Sequence, residues 1–191
     1  MGDRQDRLRQ LMRRKFVAAE RALQRGGQRF VARMQRERLS GPTSSESLSV
    51  RTGQLHNAIN YKVRRVSALK LQLVVFVDQR VNYAKIHEFG GRIVPRKAGA
   101  LAIPLAAART KAGASRGFRP RDFADLVMLK GRGRAPILAR IIRQEKKSKI
   151  IPMFALVKSV QIPPRLGFRK LFAQEGPRII KDTQAAVRAQ Q

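Results

Sequence analysis

Apolar residues recur at helical spacing along the first forty positions: Leu8, Leu11, Met12, Phe16, Ala19, Leu23, Phe30, Val31 and Met34, with arginines filling the other faces. This period predicts a long amphipathic helix over 4–38. Gly26-Gly27 interrupts it, and two glycines at about 1 kcal/mol each predict a kink or a split. Gly41-Pro42 stops the helix near Leu39, and the polar stretch 40–49 reads as a loop. The pattern then changes to period two. Tyr61-Lys-Val-Arg-Arg-Val66 alternates and Leu69 to Val77 is a β-branched run, so a hairpin turning at Ser67-Ala68 is expected. A short helical turn is expected before it at 53–58. Another follows at Tyr83–Phe89, where Tyr83, Ile86 and Phe89 share a face and Gly90-Gly91 ends the turn.

Downstream, Ile93-Val94-Pro95 and Leu101-Ala-Ile-Pro104 read as short edge strands, where proline is tolerated. Residues 106–125, rich in Arg, Gly, Ala and Pro, read as an extended loop. Leu126–Leu129, Ile137–Ile142 and Ile150–Val157 read as strands, the last two separated by a charged turn at Gln144–Lys149. Gln161-Ile-Pro-Pro-Arg165 reads as a breaker. Leu166 to Arg188 reads as a C-terminal helix with Leu171, Phe172, Ile179, Ile180 and Val187 on its apolar side, restarting at Gly176-Pro177. The expected class is α+β: a long N-terminal helix, an antiparallel sheet with a short helical turn, and a C-terminal helix, with a basic extended loop insert. The expected domains are a basic helix at 1–39 and a single α+β domain at 40–191 carrying the insert at 105–150.

Charge changes this picture most. The 191 residues carry 42 Lys/Arg against 12 Asp/Glu, a net charge of +30. Residues 1–38 hold 12 cations against 4 acids and residues 92–150 hold 16 against 3, while 39–91 hold 7 against 3 and 151–191 hold 7 against 2. The excess sits in the first helix and the insert, as if two basic surfaces had been added to an ordinary fold. Mixed charge serves solubility better than one sign, so the excess points to an anionic partner: nucleic-acid phosphates first, an acidic protein surface second. With 6% aromatic residues, no tryptophan and no zinc-finger, basic-zipper or RNA-recognition motif, contact with DNA backbone is expected rather than reading of a site. Arg116, Arg119, Arg121, Arg132, Arg134, Lys146 and Lys147 are the candidate contacts to DNA or to an acidic neighbour. The absence of cysteine excludes disulfides and thiolate metal sites. No apolar signal region opens the chain, and no apolar run nears the ~20 residues of a membrane span.

Candidate chemistry is thin. His87-Glu88 resembles the start of a zinc-protease helix, but the second histidine would fall at Gly91, and His56 is the only other one. Gly113-Ala-Ser-Arg-Gly117 lacks the preceding strand that a nucleophile elbow needs. Gly131-Arg-Gly-Arg134 matches neither a phosphate loop nor a dinucleotide fingerprint and reads as a basic turn. Of the twelve acids, only Asp122 and Asp125 cluster in that region, too few for a multi-metal nuclease. No enzymatic activity, cofactor or metal is expected. Glu88 reads as half of an ion pair with Arg51 or Arg92, locking the loop around Gly53 to the turn at 83–90; a subunit contact and simple exposure are the alternatives.

Four short segments in order carry a resemblance. Arg51-Thr-Gly-Gln-Leu-His-Asn-Ala-Ile59, a strand pair, Tyr83-Ala-Lys-Ile-His-Glu-Phe-Gly90, Leu101-Ala-Ile-Pro104, and Leu156-Val-Lys-Ser-Val-Gln-Ile-Pro-Pro-Arg165 with Phe168 resemble the tail-completion and virion-morphogenesis proteins of long-tailed bacteriophages. The resemblance covers roughly 50–104 and 150–190. It departs at the 105–150 insert and at Pro163-Pro164, where one proline is more usual. It implies a structural, non-enzymatic virion protein of the head–tail neck, made in the host cytoplasm. Such a protein would assemble as a homo-oligomeric, hexameric ring around the DNA channel, beside tail-terminator, tail-tube or connector proteins. It would touch packaged DNA non-specifically and no membrane. Arg51, Gly53, Leu55, Tyr83, Glu88, Gly90, Pro164 and Arg165 would then hold the fold. The alternative is a free, non-specific nucleic-acid-binding protein.

Overall fold

The computed structural model describes residues 2–41, 47–110, 118–131, 135–143 and 148–190. They form two compact units, one made of residues 1–89 and 164–191 and the other of residues 90–163. The class is α+β, as the hydrophobic pattern indicates.

In the first unit, α1 (Gly2–Arg38) is one unbroken helix, followed by the single turn α2 (Gln54–Asn57). The hairpin β1 (Ile59–Ser67) and β2 (Lys70–Val77) pairs antiparallel from Ile59↔Val77 to Ser67↔Lys70, with a bulge between Arg65 and Ser67. Then come α3 (Ala84–Phe89) and, after the second unit, α4 (Phe168–Arg188). Gly26-Gly27 neither kinks nor splits α1. A Cβ on Gly26 would lie 2.8 Å from Ile179 of α4, and one on Gly27 would collide with the Tyr61 ring of β1. The glycines are thus points of close approach, and packing there offsets their poor helix propensity. The core joins Phe30, Met34 and Leu39 to Leu55, Ala58, Ile59, Val81, Ala84, Leu166 and Leu171. Phe30 is fully buried and meets Phe168 and Phe172 edge-on, at 5.2 and 5.6 Å between centroids. Arg29 pairs with Asp182, and Arg33 reaches both Glu37 and the buried Glu175. Pro177 does not restart α4 but lies inside it.

The N-terminal helix is therefore not a separate piece ending at residue 39. Its second half supplies the core of the first unit, because Phe30 and Met34 are covered by segments from both ends of the chain.

In the second unit, β3 (Gly91–Ile93) pairs with β8 (Val160–Ile162), Gly91 opposite Ile162. A four-stranded antiparallel sheet runs in the order β4 (Leu101–Pro104), β7 (Ser148–Val157), β6 (Ile137–Arg143), β5 (Leu126–Leu129). β4 is an edge strand, as its terminal proline requires. Pro152 lies in the inner strand β7, beside the bulge where the register slips from Leu138↔Phe154 to Ala139↔Pro152. A residue without an N–H is tolerated there. Ala108, Met153 and Phe154 form the core, against Phe123, Leu126 and Leu138. Within the insert, the strands expected at 126–129 and 137–142 are present as β5 and β6, and β7 begins at Ser148. The stretch 106–125, expected as an extended loop, instead carries two 3₁₀ turns among its described residues, at Ala106–Ala108 and Pro120–Asp122, where Ala108 is buried and Phe123 covers Phe154. The span 161–165 is likewise not wholly a breaker, since Gln161 and Ile162 belong to β8.

Candidate functional site

Two of the motif segments, around Glu88 and around Arg165, meet at the start of α4. A helix leaves its first four N–H groups without intrahelical acceptors, and Ser, Thr, Asp or Asn normally supplies one at the N-cap. Here the N-cap is Gly167, at φ +62° and with no side chain to offer. The acceptor comes from 80 residues away. Glu88 Oε2 accepts from the Phe168 N–H at 2.8 Å, and Glu88 Oε1 accepts from the Arg169 N–H at 3.0 Å. One carboxylate thus spans the first two turn donors, at the end of the helix where the macrodipole favours negative charge. The chain just before is held by the same turn: the Arg165 and Leu166 N–H groups both donate to the His87 carbonyl, at 2.7 and 2.8 Å. The Arg169 guanidinium lies 5.4 Å from the centre of the Phe89 ring.

This corrects the expected role of Glu88. Its carboxylate caps a helix and is not spent on an ion pair with Arg51 or Arg92. Burial holds the His87 imidazole below its usual pKa, and the charges of Arg165 and then Arg51 push in the same direction. Its Nδ1 is buried without a hydrogen-bond partner, and Tyr83 packs edge-on against the ring at 6.0 Å. A neutral imidazole in a cationic setting is a packing group here. No acid or nucleophile is shown bonded to its ring.

The other motif residues have equally physical tasks. Gly53 is the N-cap of α2 at φ +73°, and its carbonyl accepts the Asn57 N–H at 2.9 Å. Leu55 enters the core. Gly90 takes φ +70° directly after α3, a conformation that favours glycine. Arg51, Tyr83 and Pro164 are exposed, and Arg165 is half-buried. The sequence reading missed the partners of Glu88, namely the backbone of Phe168 and Arg169. The available signal was Gly167 itself: an amphipathic helix preceded by Arg165-Leu166-Gly167 contains no capping side chain of its own.

Of the candidate anion contacts, Arg119 and Arg121 are described and exposed, flanking the turn at Pro120–Asp122. The Arg119 N–H donates to Asp122 Oδ2 at 2.6 Å, leaving its guanidinium outside this turn bond. Arg116, Arg132, Arg134, Lys146 and Lys147 lie outside the described residues. Asp6, Glu37, Asp78, Asp125, Glu175 and Asp182 each pair with an arginine, while Glu88 and Asp122 accept backbone N–H groups. Most carboxylates among the described residues are therefore committed within the chain, which carries a net charge of +30. Among the described residues, no three His, Asp or Glu side chains are grouped to hold a metal, and no helix is long and apolar enough to cross a membrane. No protein-family model, curated protein or solved structure matches the chain.

Proposed function

We propose that this chain is a structural virion protein of the head–tail neck of a long-tailed phage, of the tail-completion type. In this reading it assembles as a hexameric ring around the DNA channel, between tail tube and connector. The observation that carries the reading is the junction at α4. Segments 83–90 and 164–168, read separately as family-like motifs, supply a helix-capping carboxylate and the start of the capped helix, while Gly53 of segment 51–55 caps α2. Residues of this kind hold a fold and do no chemistry.

The charge supports the same reading. A ring multiplies the field of each subunit, and a surplus of arginine facing packaged DNA or acidic neighbouring rings is neutralised in the assembly. The protein acts as a non-enzymatic joint, without a cofactor.

Electron microscopy of particles made without the protein tests this. Filled heads and finished tails that fail to join are expected, and complete, infectious virions would refute the proposal. Native mass spectrometry of the purified chain separates the rival. A persistent monomer that binds any duplex with a steep salt dependence would instead mark a free nucleic-acid-binding protein.

A further inference from the structure

Three elements of the first unit, far apart in sequence, leave apolar side chains around one open groove of about 360 Å³. Met12, Phe16 and Leu23 come from α1, Leu69 and Leu71 from the tip of the hairpin, and Ile180 from α4. Single exposed apolar residues need no explanation. Here Leu69 is 78% exposed, Ile180 58% and Met12 49%, and all three line the same concavity. Leu69 is the hardest to account for by folding alone, since it occupies a hairpin turn, where Gly, Asn or Asp suits the backbone better.

The rim has one sign. Lys15 lines the groove, and the Arg65 guanidinium lies 4.5 Å over the Phe16 ring. No carboxylate is among the lining residues. From Met12 to Leu23 the floor follows three turns of α1, roughly 16 Å at 1.5 Å per residue, which matches three turns of a helix laid alongside. We propose that this groove docks an acidic, apolar-faced helix of a partner protein, its apolar anchors between α1, the hairpin tip and α4 and its carboxylates on Lys15 and Arg65. A second copy fits poorly. It would bring another net +30, and the carboxylates that could answer this rim are mostly committed to its own arginines and helix ends. The inference stands on the groove and does not depend on the virion reading.

The test uses the full chain and two fluorescent 18-residue peptides of identical composition. One places Leu on a single helical face among Glu residues, and the other scatters the same Leu residues around the helix. Anisotropy titrations at physiological salt should show the one-faced peptide binding at least tenfold more tightly. Leu69→Ser and Ile180→Ser, exposed positions whose folding is checked by circular dichroism, should each remove about tenfold of that affinity. Lys15→Glu should weaken it further. Equal binding of both peptides would reduce the effect to charge and overturn the proposal, as would unchanged binding by both serine variants. Self-association in sedimentation that Leu69→Ser abolishes would assign the groove to a second copy. Preference for phosphatidylserine vesicles over the peptide, lost in the same variants, would assign it to a membrane. Either result also overturns the proposal.

Discussion

Glu88→Ala is the most direct perturbation of the α4 junction. It removes the acceptor of two backbone donors, Phe168 N–H at 2.8 Å and Arg169 N–H at 3.0 Å, and Gly167 provides no substitute. Loss of an N-cap costs ~0.5–2 kcal/mol, and hydrogen bonds to a charged acceptor are worth ~1.5–3 kcal/mol. Arg169 is exposed, so water replaces part of its bond, whereas Phe168 is half-buried against Phe30 and is less easily solvated. The expected loss is about 1.5–2 kcal/mol, a fall in Tm of roughly 3–8 °C for a chain of this size. Glu88→Gln keeps an amide oxygen for one donor and should lose about half as much. Gln24→Ala, exposed on α1, serves as the control and should stay within ~0.5 kcal/mol of wild type. Urea unfolding followed by circular dichroism at equal m-values measures all three, and amide exchange at Phe168 and Arg169 supplies the local readout, which should accelerate at both amides in Glu88→Ala and stay at the wild-type rate in the control. If Glu88→Ala unfolds like Gln24→Ala, or the two amides exchange at the wild-type rate, the capping argument is wrong.

Gly27→Ala should destabilise by about 1–3 kcal/mol, although alanine is the better helix former, because its methyl group meets the Tyr61 ring; thermal melts decide. Phe30→Ala empties the fully buried site between Phe168 and Phe172 and should cost ~3–5 kcal/mol in urea unfolding. The lowered His87 pKa sets a pH dependence. Below the ordinary value of 6.5 the unfolded chain takes up a proton that the folded chain resists, so stability falls as pH drops from there towards the folded value and levels off beneath it. His87→Asn should flatten that part of the pH–stability curve, and an unchanged slope would count against the assignment. Asp182→Asn removes an exposed pairing with Arg29 and should leave the urea midpoint almost unchanged.

Periodicity carried most of the fold. The ends of α1, the hairpin, the α3 turn and the strands of the second unit follow from spacing and from turn residues, because local preference and tertiary packing agree there. Misreadings arose where a distant neighbour overrules local propensity. Gly26-Gly27 reads as a break until Ile179 and Tyr61 are brought against it. Pro177 reads as a start until the flanking residues of α4 pack on α1. The same holds at the candidate site. Glu88 stood out as a lone acid among apolar residues, but its partners are backbone N–H groups, which leave no mark in side-chain identity. An arginine was therefore the natural guess.

The pairing of β3 with β8 has a consequence for how the chain folds. Residues 90–163 interrupt the first unit, so α1 and the hairpin emerge during synthesis well before α4, which covers Phe30, exists. Closing a segment of this length costs on the order of 4 kcal/mol in chain entropy by the (3/2)RT ln n dependence. Once the second unit has formed, Gly91 opposite Ile162 already holds the two ends of that segment together. His87 then has only a few residues left to search before its carbonyl meets Arg165 and Leu166. The inserted unit thereby serves as a clamp in folding, converting a long-range closure in its host into a nearly local one.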